Sequence, residues 1–85
     1  MPEISRFYGI VVYLLWRDHN PPHVHFSYSG YECIYNILDG VVEGKAPAKV
    51  ISKVMEWVAL HETELLQLWE KAQKGEALYK VEPLK

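Results

Sequence analysis

The chain has 85 residues, a formal net charge of −2 and a pI near 6.0, enough for one domain with a single small core and too acidic for a dedicated nucleic-acid protein. Residues 1–42 carry two basic and four acidic side chains and residues 43–85 carry seven of each, so neither half is basic. Cys33 is the single cysteine, which excludes an internal disulfide; residues 10–16, the longest apolar run, are too few to span a bilayer, and no signal-peptide pattern opens the chain, so a soluble cytoplasmic protein without a membrane partner is expected.

Residues 1–8 are mixed in character and lead toward a first strand, with Gly9 as the transition. Residues 10–16 are all apolar and rich in valine and tyrosine, which fits a central strand covered on both faces. Then comes Asp18-His19-Asn20-Pro21-Pro22-His23-Val24-His25, which gathers three of the four histidines and two of the five prolines. Adjacent prolines fix two φ angles and remove two donors, so neither a helix nor a paired central strand runs through them, and the chain turns a corner. Beyond it, residues 23–28 alternate polar with apolar as a half-buried strand does. Ser29-Gly30 offers a two-residue hairpin, residues 31–38 read as the next strand, and Asp39-Gly40 turns into a short strand over residues 41–43.

Two-residue turns set the register. Tyr28 then faces Tyr31, Phe26 faces Cys33 and Val24 faces Tyr35 on one surface. On the other, Ser27 faces Glu32, His25 faces Ile34, and His23, Asn36 and Glu43 form a row. A four-residue corner would add Asp18 opposite His23 and Trp16 opposite His25. That second surface would also show Leu38, Val41 and, with them, Ile10, Val12 and Leu14. Two helices cannot cover both faces of such a sheet, so association as a homodimer or with another protein is expected.

From Lys45 the period lengthens. Pro47 suits a first helical turn, and apolar residues from Val50 to Trp69 recur at helical spacing until Gly75 supplies a stop. One unbroken helix would be roughly 40 Å long in a domain about 30 Å across. A break is therefore expected near His61 to Thr63. The whole is an α+β domain: a four-stranded antiparallel meander over residues 7–44, two helices or one kinked helix over residues 47–74, and a tail over residues 75–85 that is either extended or disordered.

His23 and His25 sit two apart on a strand and project together, with His19 and Asp18 across the corner. Three chemistries are open to them. They can be structural or partner-contacting residues, with Asp18, His19 and Asn20 bonding backbone at the corner. They can bind a metal ion, although the spacing matches no helical metalloprotease pair and no thiolates join them. Or they can act as general acid and base, cleaving a phosphodiester held by Arg17. Lys45, Lys49 and Lys53 recur every four residues, a stripe on one helix face that could meet phosphate or an acidic partner, though a solvated face is the simpler account and nucleic acid is weakly supported. Trp57 and Trp69 belong to the core set, and Cys33 is expected buried beside Phe26 and inert. No cofactor is implied.

The segment Pro2-Glu3-Ile4-Ser5-Arg6-Phe7-Tyr8-Gly9-Ile10, the motif of residues 18–25, and Glu56-Trp57 with Leu65, Leu66 and Trp69 give the chain, over nearly its whole length, a resemblance to the small prokaryotic proteins of domain of unknown function family 4160. Val24 and Phe26 fall on variable apolar positions of that motif, and Cys33 is not part of it. The family has no established activity. Similar proteins are often encoded beside another small domain of unknown function, and such pairs have been suspected to be toxin–antitoxin modules. The resemblance thus implies a small component of a two-protein regulatory complex, with Asp18, His19, Asn20, Pro21, Pro22, His23 and His25 as its motif. A histidine-dependent ribonuclease and a metal-binding module are the alternatives.

Overall fold

In the computed structural model, which describes residues 2–85, the chain doubles back at Tyr8 and Gly9, both in the left-handed region with φ of 51° and 78°. Two successive left-handed residues give the turn whose twist matches a β-hairpin. Met1, read as part of the lead-in, lies outside the described residues. The turn joins β1 (Glu3–Phe7) to β2 (Ile10–Tyr13), so residues 3–7 are a strand and the sheet has five strands where four were expected. A bulge hides β1 in the sequence. The register slips between Glu3 and Ser5, so that neighbours Ile4 and Ser5 are both buried and the polar–apolar alternation breaks.

The remaining strands are β3 (His23–Tyr28), β4 (Tyr31–Asn36) and β5 (Val42–Glu43), in the order β1-β2-β3-β4-β5, each antiparallel to its neighbour. Ser29 and Gly30, at φ 45° and 88°, make the expected two-residue turn. All six β3–β4 pairs fall as the sequence indicates, including His23 with Asn36 and His25 with Ile34.

Two registers differ. Glu43 pairs with Ile34 instead of Asn36, because β4 ends at Asn36 and residues 37–40 form a four-residue loop. The Asn36 carboxamide oxygen accepts from the backbone N–H groups of Leu38 and Asp39, and Ile37 turns into the core with its N–H on the Pro22 carbonyl. A side-chain cap, invisible to a two-residue turn rule, consumes the two extra positions. The row of His23, Asn36 and Glu43 is therefore not formed. At the corner, Tyr13 and not Trp16 pairs with His25, since β2 stops at Tyr13 and residues 14–22 form a longer connection.

That shift changes faces. Ile10, Val12 and Leu14 point into the core and are buried, contrary to the expectation that they line the second surface. They join Phe7, Val24, Phe26 and Tyr35 beneath α1 (Ala48–Gln73), which contributes Val50, Val54, Trp57, Val58, Leu65, Leu68 and Trp69. Trp16 also leaves the sheet surface, its indole N–H donating to the Glu76 carbonyl.

Helical dihedrals in α1 break once, at His61 (φ −123°, ψ 21°), where a kink was expected. A straight helix of 26 residues would run about 39 Å, beyond the longest extent of the molecule, 33 Å. Bending at His61 keeps both halves on the sheet. The helix ends as the sequence indicates: Gly75 is left-handed at φ 70°, its N–H bonds the Ala72 carbonyl, and Glu76 N–H reaches Lys71.

The tail is ordered by contact. Val81 N–H donates to the Ile4 carbonyl at 2.7 Å, Ser5 Oγ–H donates to the Val81 carbonyl at 3.0 Å, and Trp57 Nε1–H donates to the Glu82 carbonyl at 2.8 Å. Val81 and Leu84 are buried in the core.

Candidate functional site

The corner builds its site from the backbone outward. Pro21 and Pro22, the first behind a cis Asn20–Pro21 bond, end the irregular segment and start β3 at once with His23. His23 and His25, two apart on a pleated strand, project to one side, and their rings meet nearly edge-on at 5.0 Å. Asp18 comes from the other arm of the corner. Its Oδ2 lies 2.8 Å from His23 Nε2 and 2.9 Å from His25 Nε2, so one carboxylate oxygen receives both imidazoles. Its Oδ1 accepts from the His19 backbone N–H at 2.8 Å and lies 3.0 Å from His19 Nδ1.

The three rings differ in access. The His19 side chain is 80% exposed, His25 14% and His23 4%. His23 is enclosed because Trp69 of α1 stands 5.0 Å from its ring. Its Nδ1 lies 2.7 Å from the Pro21 carbonyl oxygen, which can only accept, so this nitrogen carries a proton. His25 stacks on Tyr13 across the β2–β3 pair, centroids 5.1 Å apart and planes within 14°.

Burial pushes the Asp18 carboxyl upward, but the hydrogen bonds from His25, the His19 N–H and His23 outweigh it and hold it down at about 2. Asp18 is thus a carboxylate at neutral pH. Burial, then the charge and hydrogen bond of Glu32, raise the Tyr13 hydroxyl. Beyond His25 the sheet surface forms a shallow groove of about 350 Å³ lined by Tyr13, His25, Glu32, Ile34 and Glu43, among others.

Of the residues singled out in the sequence, Asp18, His19, His23 and His25 come together. Asn20 is exposed on the outside of the bend, and Glu43 reaches the set only as a wall of the groove. Asn36 is occupied in capping the β4–β5 loop. Arg17 lies at the end of α1, its backbone N–H on the Ala72 carbonyl and its guanidinium packed against Gly75. The lysine stripe is shorter than expected. Lys45 precedes the helix, and Lys49 and Lys53 line a separate hollow with Tyr8, Ile10, Tyr28 and Val50, where Lys53 Nζ sits 4.9 Å from the Tyr8 ring centre. Cys33 is buried as expected; burial raises its thiol, which donates to the Lys45 carbonyl at 3.3 Å.

Tyr13 and Trp69 are the parts of the site that sequence reasoning missed. Tyr13 becomes visible only through the correct β2–β3 register, and Trp69 carries a helical-core signal that says nothing of a histidine beside it. Asp18, His23 and His25 each offer one ligand atom, all within 4.8 Å of one another, so the set can hold a metal ion.

Among known protein families, the one described as "Domain of unknown function (DUF4160)" matches residues 9–70, a span that takes in the corner and most of α1 but not β1 or the tail. No curated protein and no solved structure matches the chain.

Proposed function

The chain belongs to the DUF4160 family, and on that premise we propose that it is the partner-binding member of a two-protein regulatory pair of the toxin–antitoxin kind, docking through the sheet face opposite α1. One observation carries this reading: the helix and the tail join the core on one side of the sheet, while on the other side Val11, Ile34 and Glu43 stay partly or fully exposed, the corner and Trp69 reaching only its His23–His25 end. Val11 and Ile34 are half-buried there, Val41 beside them is exposed, and Leu38 is exposed at the adjoining loop. This patch is smaller than the sequence suggests, because Ile10, Val12 and Leu14 face the core. It is an apolar strip edged by Arg6, Glu32 and Glu43, the composition of a small, specific interface rather than of an obligate one.

The ribonuclease alternative fits less well. His23 is enclosed and both of its ring nitrogens are engaged, so it meets no substrate, and Arg17 sits at the helix end. No helix of the described residues is long and apolar enough to cross a membrane. Co-expression with the product of the neighbouring gene tests the proposal. A stable complex is expected, lost in Ile34→Asp while far-UV circular dichroism of the variant stays native. Failure to form a complex, or a complex indifferent to Ile34→Asp, overturns it.

A further inference from the structure

The Pro21 carbonyl holds the Nδ1 hydrogen of His23, which leaves Nε2, 2.8 Å from Asp18 Oδ2, as the ring atom able to take a metal ion in place of the proton it shares with that carboxylate. His25 Nε2 converges on the same oxygen at 2.9 Å, so a cation placed there would meet three donor atoms at once. The geometry points to a binding site for a divalent first-row transition ion, zinc foremost, held by Asp18 Oδ2, His23 Nε2 and His25 Nε2.

Each ligand is already aimed by a group that is not a ligand. The Pro21 carbonyl fixes the His23 tautomer that frees Nε2, the His19 N–H holds Asp18 Oδ1, and the Tyr13 ring backs His25. Metal centres are organised in this way, with the second ring nitrogen of a ligating histidine donating to a carbonyl or carboxylate. The scale also fits. Bonds of about 2.0–2.2 Å to nitrogen and oxygen space tetrahedral ligand atoms about 3.4 Å apart; the observed contacts need to open by about half an ångström, a small side-chain rotation.

Two imidazoles favour zinc, cobalt, nickel or iron over magnesium and calcium, which prefer all-oxygen shells. With His25 and Asp18 slightly exposed and His23 sealed by Trp69, the three protein ligands leave at least one coordination position toward the outside, the pattern of an exchangeable rather than a closed zinc site. The site requires no docked partner and goes beyond the interface proposed above; it stands or falls separately.

The test uses tag-free protein, stripped with a chelator and titrated with zinc chloride alone. One zinc per chain, a raised melting temperature, and a zinc-induced shift of the Nε2 resonances of His23 and His25 but not of His61 are expected. Asp18→Asn and His25→Ala should each weaken zinc binding at least about tenfold, while His19→Ala and His61→Ala keep it. His23→Ala empties a buried position and can unfold the chain, so the nitrogen resonances of the unaltered protein serve in its place. Absence of zinc binding at about millimolar metal, unchanged affinity in both ligand variants, or magnesium binding as tight as zinc overturns the assignment.

Discussion

Asp18 Oδ2 takes both His23 and His25, and Asp18 Oδ1 is held by the His19 backbone, so a carboxylate, more than any one imidazole, organises the bend. Removing it in metal-free protein strands a buried nitrogen on His23, whose side chain is only 4% exposed. Asp18→Ala is expected to cost about 1–3 kcal/mol of stability. His19→Ala, at a ring 80% exposed, should stay within about 0.5 kcal/mol of the parent. Urea denaturation of the two variants side by side measures the difference. The sequence marks these residues as a group because histidine and proline crowd together there. It does not rank them, since ranking depends on which arm of the bend supplies the shared acceptor.

At the scale of elements, what could be read from the sequence follows the length of the connections. β3 and β4 are joined by two residues, Ser29 and Gly30, and their register is legible pair by pair. β4 and β5 look equally simple at Asp39-Gly40, but the Asn36 side chain caps a longer loop and moves Glu43 two places along. Between β2 and β3 the nine residues 14–22 carry no turn rule, so the parity was lost there and with it the facing of Ile10, Val12 and Leu14. β1 is masked in the sequence pattern by the bulge between Glu3 and Ser5. It is also pinned by charge: the Glu3 carboxyl is lowered to about 2, first by the hydrogen bond from Arg6 and then by that from Lys80 of the tail, against a small opposing effect of burial. A carboxylate with a depressed pKa stabilises the fold above its unfolded value near 4.5 and loses that contribution as pH falls toward 2. Glu3→Gln should therefore lower the urea midpoint in the neutral region, where the ionised Glu3 contributes, and flatten the acid limb between about 4.5 and 2, so that variant and parent converge at the acid end.

On the scale of the whole molecule, helix and tail are laid on one side of a sheet whose strands follow one another in sequence order. The tail bonds Ile4, Ser5 and Trp57 and buries Val81 and Leu84. Deleting residues 81–85 should cost at least about 3 kcal/mol, from two apolar side chains returned to water and an indole N–H left without its acceptor, read as a fall in the urea midpoint.

The bond between Ser5 and Val81 joins positions 76 residues apart, whereas every strand pairing joins near neighbours. Assembly can thus proceed from hairpin to hairpin with little loop entropy to overcome, and the clasp between the two ends is the step with the widest ring to close. Interactions closed after the barrier contribute nothing to its height. They act as a latch, setting how slowly the finished protein comes apart rather than how quickly it forms.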